Sequence, residues 1–384
     1  MSIYAGCVKA GSYLGRISVL PVLKNRVAFE VARGIKAFLN LEVGLTRGEA
    51  PGVGTGTSGT GATAARVRKI GHRLTSRGRA LAGSVGATPA SSAQSDPQPR
   101  DARDRCVRAE NLVWIFGSGR SGSTWLRSMM SEMTHHRFWE EPMVGQLFGS
   151  FYKHAQEGQL NSANFIMGEP TRKGWTRSIR NFVLDGAMYA NPRLGPEDYL
   201  VVKEPNGSTG APLLMEALPE SRMILLVRDP RDVAASVLDG ARKGSWLYER
   251  KDKGRWKENA LADTDPEAIT RRRAHMYMSQ VGRAKQAFEA HEGPKVLVRY
   301  EDLRADALGT IKRIYSELGI PAEEKDLAQV VEKHSWENIP EENKGEGKFY
   351  RKATPGGWQE DLTPKQAGII EKITAPLLEE FYPA

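Results

Sequence analysis

Residues 111–130 read NLVWIFGSGRSGSTWLRSMM. The run from Asn111 to Phe116 is apolar and rich in β-formers, which predicts a buried strand. Glycine and hydroxyl residues follow as far as Thr124, and from Trp125 onward apolar residues recur at helical spacing. A strand, a glycine-rich turn and a helix N-terminus bind anions, because converging N–H groups and the helix dipole supply partial positive charge. The stretch therefore predicts a site for a phosphate or sulfate-like group.

Two nucleotide-binding patterns compete for this loop. The glycines of residues 117–122 match the dinucleotide fingerprint G-x-G-x-x-G, with Glu140 or Glu141 near the distance expected for a ribose contact. The first and last of these glycines also match the frame G-x-x-x-x-G of the ATP-binding P-loop. In that frame Ser123 stands where the lysine for the β- and γ-phosphates belongs, and a basic residue lies inside the loop at Arg120. The pattern disfavours ATP hydrolysis and favours a shorter 5′ phosphate arm.

A second basic segment follows a second strong strand. Residues 222–227 (RMILLV) predict a strand, and Asp229 with Pro230 is good helix-initiation chemistry. Arg228 at the end of the strand and Ser236 two turns along the helix would suit one further phosphate. The alternative is an ordinary salt-bridged helix start.

Four stretches in order resemble the landmarks of the sulfotransferases that use 3′-phosphoadenosine 5′-phosphosulfate (PAPS). They are residues 119–125 (GRSGSTW), 227–236 (VRDPRDVAAS), 299–303 (RYEDL) and 351–358 (RKATPGGW). The likeness runs from about residue 111 to the C-terminus. It implies an α/β, three-layer P-loop-like fold, in which a central parallel sheet is flanked by helices.

The resemblance also implies the contacts of the donor nucleotide. The 5′-phosphosulfate loop is implied to comprise Gly119, Arg120, Ser121, Gly122, Ser123 and Thr124. The base is implied to stack on Trp125 and to contact Tyr300 and the stretch His334-Ser335-Trp336. The 3′-phosphate is implied to bind Arg228, Ser236, Arg351, Lys352, Ala353 and Gly356.

The chain departs from the family pattern at three places. Arg120 stands where lysine is frequent, which keeps a fixed positive fork. Ala353 replaces the glycine of the usual Arg-Lys-Gly. The Lys-x-His of many cytosolic members is absent, because the strand at residues 199–202 leads into Lys203-Glu204-Pro205.

Sulfuryl transfer needs a base for the acceptor hydroxyl and cations around the oxygens of the leaving bisphosphate. Residues 138–142 (FWEEP) resemble the glutamate segment of carbohydrate and tyrosylprotein sulfotransferases. The predicted catalytic residues are Glu141 as first choice of base, Glu140 as second, Lys203 as electrophilic partner, and Arg120. His135 or His136 is the alternative base, although a place at the C-terminus of the first helix suits the pair better. No metal is expected.

The charge of the chain is unevenly distributed. Residues 1–108 hold 17 Lys and Arg against 6 Asp and Glu, and residues 109–384 hold 38 against 40. All eight Trp lie in the second part. The basic character therefore belongs to an extension, and a nucleic-acid partner is not expected. Cys7 and Cys106, without a metal-type spacing, argue against a disulfide scaffold.

The extension is divided into two parts. Residues 1–50 are predicted to be a basic segment that is either amphipathic or targeting, and residues 51–108 a disordered, low-complexity basic linker. Peripheral membrane contact is one option for the extension, and no transmembrane segment is predicted. The expected location is the cytoplasm, or an organelle if the acid-free N-terminus directs the chain there.

Residues 109–384 are predicted to be the sulfotransferase domain. Strands are predicted at 111–116, 199–203, 222–227 and 295–299. Helices are predicted at 122–133, 231–241, 267–290 and 303–318, and from Thr363 to Phe381. A basic stretch at residues 242–256 is expected to form a loop over the acceptor site.

The predicted activity is PAPS-dependent transfer of a sulfuryl group to a hydroxyl of a carbohydrate, a glycolipid or a small molecule. Two other functions fit the same glycine loop. One is an NADP-linked oxidoreductase, because NADP also carries an additional phosphate. The other is a nucleotide-binding protein without turnover.

Overall fold

The computed structural model describes residues 107–153, 155, 157–246 and 265–383. The predictions for residues 1–50, for nearly all of 51–108, and for most of the basic stretch 242–256 lie outside the described residues. None of the described helices is long and apolar enough to cross a membrane.

Five parallel strands form the central sheet, in the order β2-β3-β1-β4-β5. Their bounds are β1 Leu112–Gly117, β2 His136–Glu140, β3 Tyr199–Lys203, β4 Arg222–Val227 and β5 Lys295–Arg299. The chain leaves β1 for the β2 edge, returns through β3 and then moves to the other side with β4. In an open α/β sheet such a reversal creates a ligand crevice at the carboxyl ends of the strands.

Twelve helices accompany the sheet within the described residues. They are α1 Ser123–Ser131, α2 Val144–Lys153, α3 Glu157–Leu160, α4 Arg172–Ala190, α5 Ala211–Ala217, α6 Pro230–Ala241, α7 Pro266–Ala290, α8 Tyr300–Ala305, α9 Ala307–Glu317, α10 Glu324–Lys333, α11 Trp358–Asp361 and α12 Pro364–Phe381. A 3₁₀ turn at Pro205–Gly210 follows β3 directly.

The two faces of the sheet form separate hydrophobic cores, because alternate side chains of a strand point to opposite faces. Trp114 and Phe116 of β1 stack 5.4 Å apart on the face covered by α4, α5 and α7. Val113 and Ile115 lie on the other face, against α1, α9 and α10. All six residues of β1 are buried, as its unbroken apolar sequence predicts.

The predicted α/β architecture is confirmed, with differences in detail. The strand predicted at 111–116 is shifted by one residue, and the other three predicted strands have the observed bounds. The predicted helix 303–318 is two helices, α8 and α9, which meet at Asp306. Strand β2 was not predicted, because an edge strand with mostly exposed residues has no apolar run.

A buried carboxylate attaches α2 to the end of β3. Glu204 is fully buried and accepts hydrogen bonds from the backbone N–H groups of Met143 and Gly145, at 3.0 and 3.1 Å. It thereby satisfies donors at the N-terminus of α2 that have no partner within the helix. Burial raises the pKa of Glu204 to about 7 despite these bonds. No role of Glu204 was predicted from the sequence.

Glu204 should make the stability of the fold fall as the pH rises. Its pKa is higher in the folded chain than the ordinary value of 4.5. The folded state therefore holds the proton more tightly, and stability is lost between about pH 4.5 and pH 7. Between pH 5 and pH 8 the free energy of unfolding of the wild type should fall by up to about 3 kcal/mol more than that of the Glu204→Gln variant. Urea unfolding at both pH values measures this difference.

Glu220→Gln is the matched control for this experiment. The Glu220 carboxylate accepts from Arg180, away from α2, and this ion pair contributes to lowering its pKa. The stability difference between this variant and the wild type should change little between pH 5 and pH 8. Parallel pH profiles for wild type and Glu204→Gln would contradict the assignment.

Candidate functional site

The loop between β1 and α1 depends on two left-handed residues. Gly122 precedes α1 with φ 86°, and Arg120 has φ 72°. A Cβ on Gly122 would lie 2.6 Å from the Tyr300 ring. Both this overlap and the left-handed backbone conformation exclude a side chain at position 122. Tyr300 therefore packs directly on the loop backbone.

The Arg120 side chain lies between the loop and the C-terminal part of the chain. Its Nε donates to Ser236 Oγ at 3.1 Å, and its Nη2 donates to the carbonyl of Phe349 at 2.7 Å. The guanidinium also lies over the rings of Trp246 and Phe349. Burial, and secondarily the nearby Arg228, lower the pKa of Arg120 to about 10, so that it is charged at neutral pH.

Arg228 follows β4 and reaches the same loop. Its Nη1 donates to the Arg120 carbonyl at 3.0 Å, and its guanidinium lies 4.3 Å from the centroid of the Tyr300 ring. Its Nε is shielded from solvent and has no hydrogen-bond partner in the part of the chain that the structure describes. A buried donor without a partner is unfavourable, so this atom is suited to bind an anion in the adjoining cleft.

Asp232 fixes the C-terminal segment beside this loop. Its carboxylate accepts hydrogen bonds from the N–H groups of Gly356 and Trp358, at 2.8 and 2.9 Å. Burial raises the pKa of Asp232, although these N–H groups and Arg228 favour its charged form. Arg351 of the same segment pairs with Asp239 and Asp361.

Ala353 shows why this position suits glycine. It adopts φ 51°, in the left-handed region, and its carbonyl accepts a hydrogen bond from Arg304 Nε at 3.0 Å. A residue with a Cβ pays about 1–2 kcal/mol for this conformation. The departure from Arg-Lys-Gly therefore preserves the turn and adds strain to it.

These elements enclose a cleft of about 860 Å³, counting the space open to solvent. The predicted nucleotide-binding residues that line it are Arg120, Gly122, Ser123, Thr124, Trp125, Arg228, Ser236, Tyr300, His334, Trp336, Arg351, Lys352 and Ala353. The predicted nucleotide-binding residues outside its lining are Gly119, Ser121, Ser335 and Gly356. The Ser121 hydroxyl is buried and has no partner among the described residues, and the backbone of Gly356 is bound to Asp232.

Three of the four predicted catalytic residues, Glu140, Glu141 and Lys203, meet beside this cleft, and Arg120 lies apart from them on Ser236 and Phe349. Glu140 ends β2 beside Lys203, the last residue of β3, and the two are register partners. Lys203 Nζ lies 2.5 Å from Glu140 Oε1, 3.0 Å from Glu141 Oε1 and 3.3 Å from Thr124 Oγ1. Glu140 also pairs with Arg127 at 3.2 Å. Since Thr124 lines the cleft, the buried lysine connects the first turn of α1 with both carboxylates.

The two histidines do not join this group. His136 opens β2, is buried, and contacts the Thr134 carbonyl and the Tyr315 hydroxyl. Burial lowers the pKa of His136, which favours the neutral ring. His135 pairs with Asp198. The expected place at the end of the first helix is therefore wrong for His136, because the unpredicted strand β2 begins there.

Several residues that line the cleft were not predicted from the sequence. They are Asp232, Arg304, Ile339, Phe349, Tyr350, Thr354, Gly357 and Asp361. Arg304 lies one helical turn after Tyr300 and 5.6 Å from the centroid of the Trp125 ring. The i, i+4 spacing from Tyr300 was a usable signal for it. Within the described ranges no group of three or more His, Cys, Asp or Glu could hold a metal ion.

A model of the sulfotransferase family matches residues 113–324, which is more than half of the chain. The chain belongs to the sulfotransferase family. No curated protein sequence matches this sulfotransferase significantly. The family assignment favours the sulfotransferase interpretation of the glycine loop over the oxidoreductase and the non-catalytic protein.

Solved structures with similar folds include two sulfotransferases. The mouse sulfotransferase SULT7A1, complexed with PAP, has 14% identity over 71% of this chain and 86% of that chain, with a TM-score of 0.45. Sulfotransferase STF9 from Mycobacterium avium has 15% identity over 72% of this chain and 78% of that chain, with a TM-score of 0.46.

The Gly122→Ala variant should be less stable than the wild type. Alanine would adopt a left-handed conformation and its Cβ would overlap the Tyr300 ring, which together should lower the free energy of unfolding by about 3 kcal/mol. Urea unfolding measures this loss. Gly174→Ala is the control, because Gly174 lies in α4 with open space around it. This variant should be slightly more stable than the wild type, since alanine favours a helix more than glycine does. Equal stability of Gly122→Ala and wild type would refute the steric argument.

Proposed function

We propose that this sulfotransferase transfers the sulfuryl group of PAPS to a hydroxyl of an acceptor molecule. The observation that carries the proposal is the position of Lys203, whose Nζ contacts Thr124 of the nucleotide loop and both glutamates. The acceptor is a carbohydrate, a glycolipid or a small molecule with a hydroxyl.

The residues of the cleft fit a nucleotide with phosphates at two ends. The loop of Gly122, Ser123 and Thr124 opens α1, where N–H groups and the helix dipole favour an anion. The unpartnered Nε of Arg228 and the hydroxyl of Ser236, which contacts Arg120, are further donors in the lining of the cleft. Trp125 and Tyr300 offer aromatic surface for the base.

Two side chains, Glu141 and Lys203, carry the proposed chemistry on the protein side. When bound, PAPS supplies an activated sulfuryl group whose leaving group is adenosine 3′,5′-bisphosphate. Glu141 accepts the proton of the acceptor hydroxyl as that oxygen attacks sulfur. Lys203 places positive charge beside the departing phosphate oxygen. Arg120 belongs to the nucleotide-binding part of the site, because its contacts are with Ser236 and Phe349.

The contacts support Glu141 ahead of Glu140 as the base. Glu140 is held by two cations, Arg127 and Lys203, and is the more exposed of the pair. Glu141 is paired with Lys203 at 3.0 Å, and its carboxylate is less exposed. Glu141 lies between the end of β2 and the start of α2 and has a φ of 44°. The fold therefore holds this residue in an unusual backbone conformation beside the site.

Glu141→Gln should lower kcat at least a hundredfold, because the amide cannot accept the hydroxyl proton. Affinity for adenosine 3′,5′-bisphosphate should stay within about twofold of the wild type, since Glu141 does not line the cleft. A screen of hydroxyl compounds with radiolabelled PAPS identifies an acceptor for the rate measurement. Glu140→Gln should lose less activity. Normal turnover in Glu141→Gln would assign the base elsewhere.

Arg228→Ala should weaken binding of adenosine 3′,5′-bisphosphate at least tenfold, because it removes a shielded cation from the cleft. Isothermal titration calorimetry measures the affinity. Arg222→Ala is the matched control: Arg222 is at the other end of β4, where it donates to the Leu318 carbonyl. Its loss should leave nucleotide affinity unchanged. Equal affinities for the two variants would remove Arg228 from the site.

A further inference from the structure

Helix α7 extends past the sheet on the side where the site lies. His291, just beyond the end of the helix, contacts the Ser221 carbonyl at 2.8 Å, immediately before β4. Tyr277 donates to the carbonyl of Arg228 at 2.7 Å, immediately after β4. The helix therefore runs antiparallel to β4, and its residues before Tyr277 continue beyond the carboxyl ends of the strands.

Three consecutive arginines occupy this extension. Arg273 is one helical turn before Tyr277, about 6 Å along the helix axis. Arg271 and Arg272 are exposed, and Arg273 is half-buried. Among the described residues the solvent-shielded Nε of Arg273 has no partner, and its Nη1 donates to the weak acceptor Met276 Sδ at 3.6 Å.

The charge of this run is not balanced within the described part of the chain. None of the three arginines forms an ion pair with a described acidic residue, whereas most other basic side chains near the site do. Burial, with the adjacent Arg272, lowers the pKa of Arg273. A shielded guanidinium without a counter-ion is unfavourable, and an anion that paired with it would offset this penalty.

The run is separate from the nucleotide cleft but belongs to the same edge of the sheet. Arg273 does not line that cleft. Helix α7 packs against the 3₁₀ turn at Pro205–Gly210, which directly follows Lys203 and Glu204. Tyr277 of α7 and Val144 of α2 also belong to the same hydrophobic core, so both helices cover one face of the sheet.

We infer that the acceptor carries an anionic group, a carboxylate, a phosphate or a sulfate ester, and that Arg273 binds it. The inference rests on the proposed function, since it deepens the description of the same acceptor. The planar guanidinium suits bidentate binding of any of these groups. Arg271 and Arg272 add positive potential that attracts an anionic acceptor to this edge.

The test uses the full chain saturated with adenosine 3′,5′-bisphosphate, whose binding is measured first. Inorganic sulfate, inorganic phosphate and glucuronate are then titrated by calorimetry, with glucose as the neutral control and potassium chloride to hold the ionic strength. The wild type should bind at least one of the three anions and not glucose. The anion that binds distinguishes a carboxylate from a phosphate or sulfate ester.

Arg273→Gln should lose at least tenfold in affinity for that anion. Arg272→Gln is the matched control, because it removes the same charge from an exposed neighbour, and it should stay within about threefold of the wild type. In chloride buffer Arg273→Gln should also unfold at a higher temperature than the wild type, since it removes an unpaired charge. Should Arg273→Gln fail to fold, Arg273→Lys keeps the charge, loses the planar fork and should still weaken anion binding.

Two outcomes would overturn the inference while leaving the proposed function intact. One is that the bisphosphate binds and none of the three anions does. The other is that the Arg273 and Arg272 variants bind the anion equally. Failure to bind the bisphosphate would instead count against the proposed function itself.

Discussion

The close approach of backbone segments after β1 is the constraint on which the site depends. A Cβ at Gly117 would lie 2.0 Å from the carbonyl oxygen of Leu226, so β1 ends tightly against β4. Five residues later Gly122 leaves room for the Tyr300 ring. These two glycines let the start of α1, the end of β4 and the start of α8 converge around one loop. The cationic side chains of those elements can then face a common cleft.

Buried carboxylates determine where the cations of the site point. Asp232 and Asp239 of α6 bind backbone N–H groups of the segment 347–358, and Asp239 also pairs with Arg351. Glu204 holds the first turn of α2 beside the glutamates that contact Lys203. Residues 109–384 are slightly acidic in total, yet five basic residues lie at or beside one cleft: Arg120, Lys203, Arg228, Arg351 and Lys352. Their local placement matters for binding an anion, and the net charge of the chain does not.

The sequence was sufficient for the elements whose pattern is strong. Strands β1, β3, β4 and β5 are apolar runs, and α6 and α12 carry clear capping residues, so their bounds were predicted nearly to the residue. Most of the cleft followed from motifs that lie at the ends of those elements. Strand β2 could not be predicted, because three of its five residues are exposed and it has neither an apolar run nor a regular alternation. The roles of Glu204 and Arg273 depend on burial and on missing partners, which only the assembled fold reveals.

The attachment of residues 347–358 to α6 has a consequence for the order of assembly. These residues follow the last strand of the sheet by about fifty positions, and they supply one wall of the nucleotide cleft. During synthesis the sheet can be complete on a nascent chain that still lacks this wall. The finished cleft therefore requires a late, long-range docking step, and a nucleotide that binds only the docked form would shift the equilibrium towards it. Nucleotide binding and the docking of residues 347–358 are therefore thermodynamically coupled.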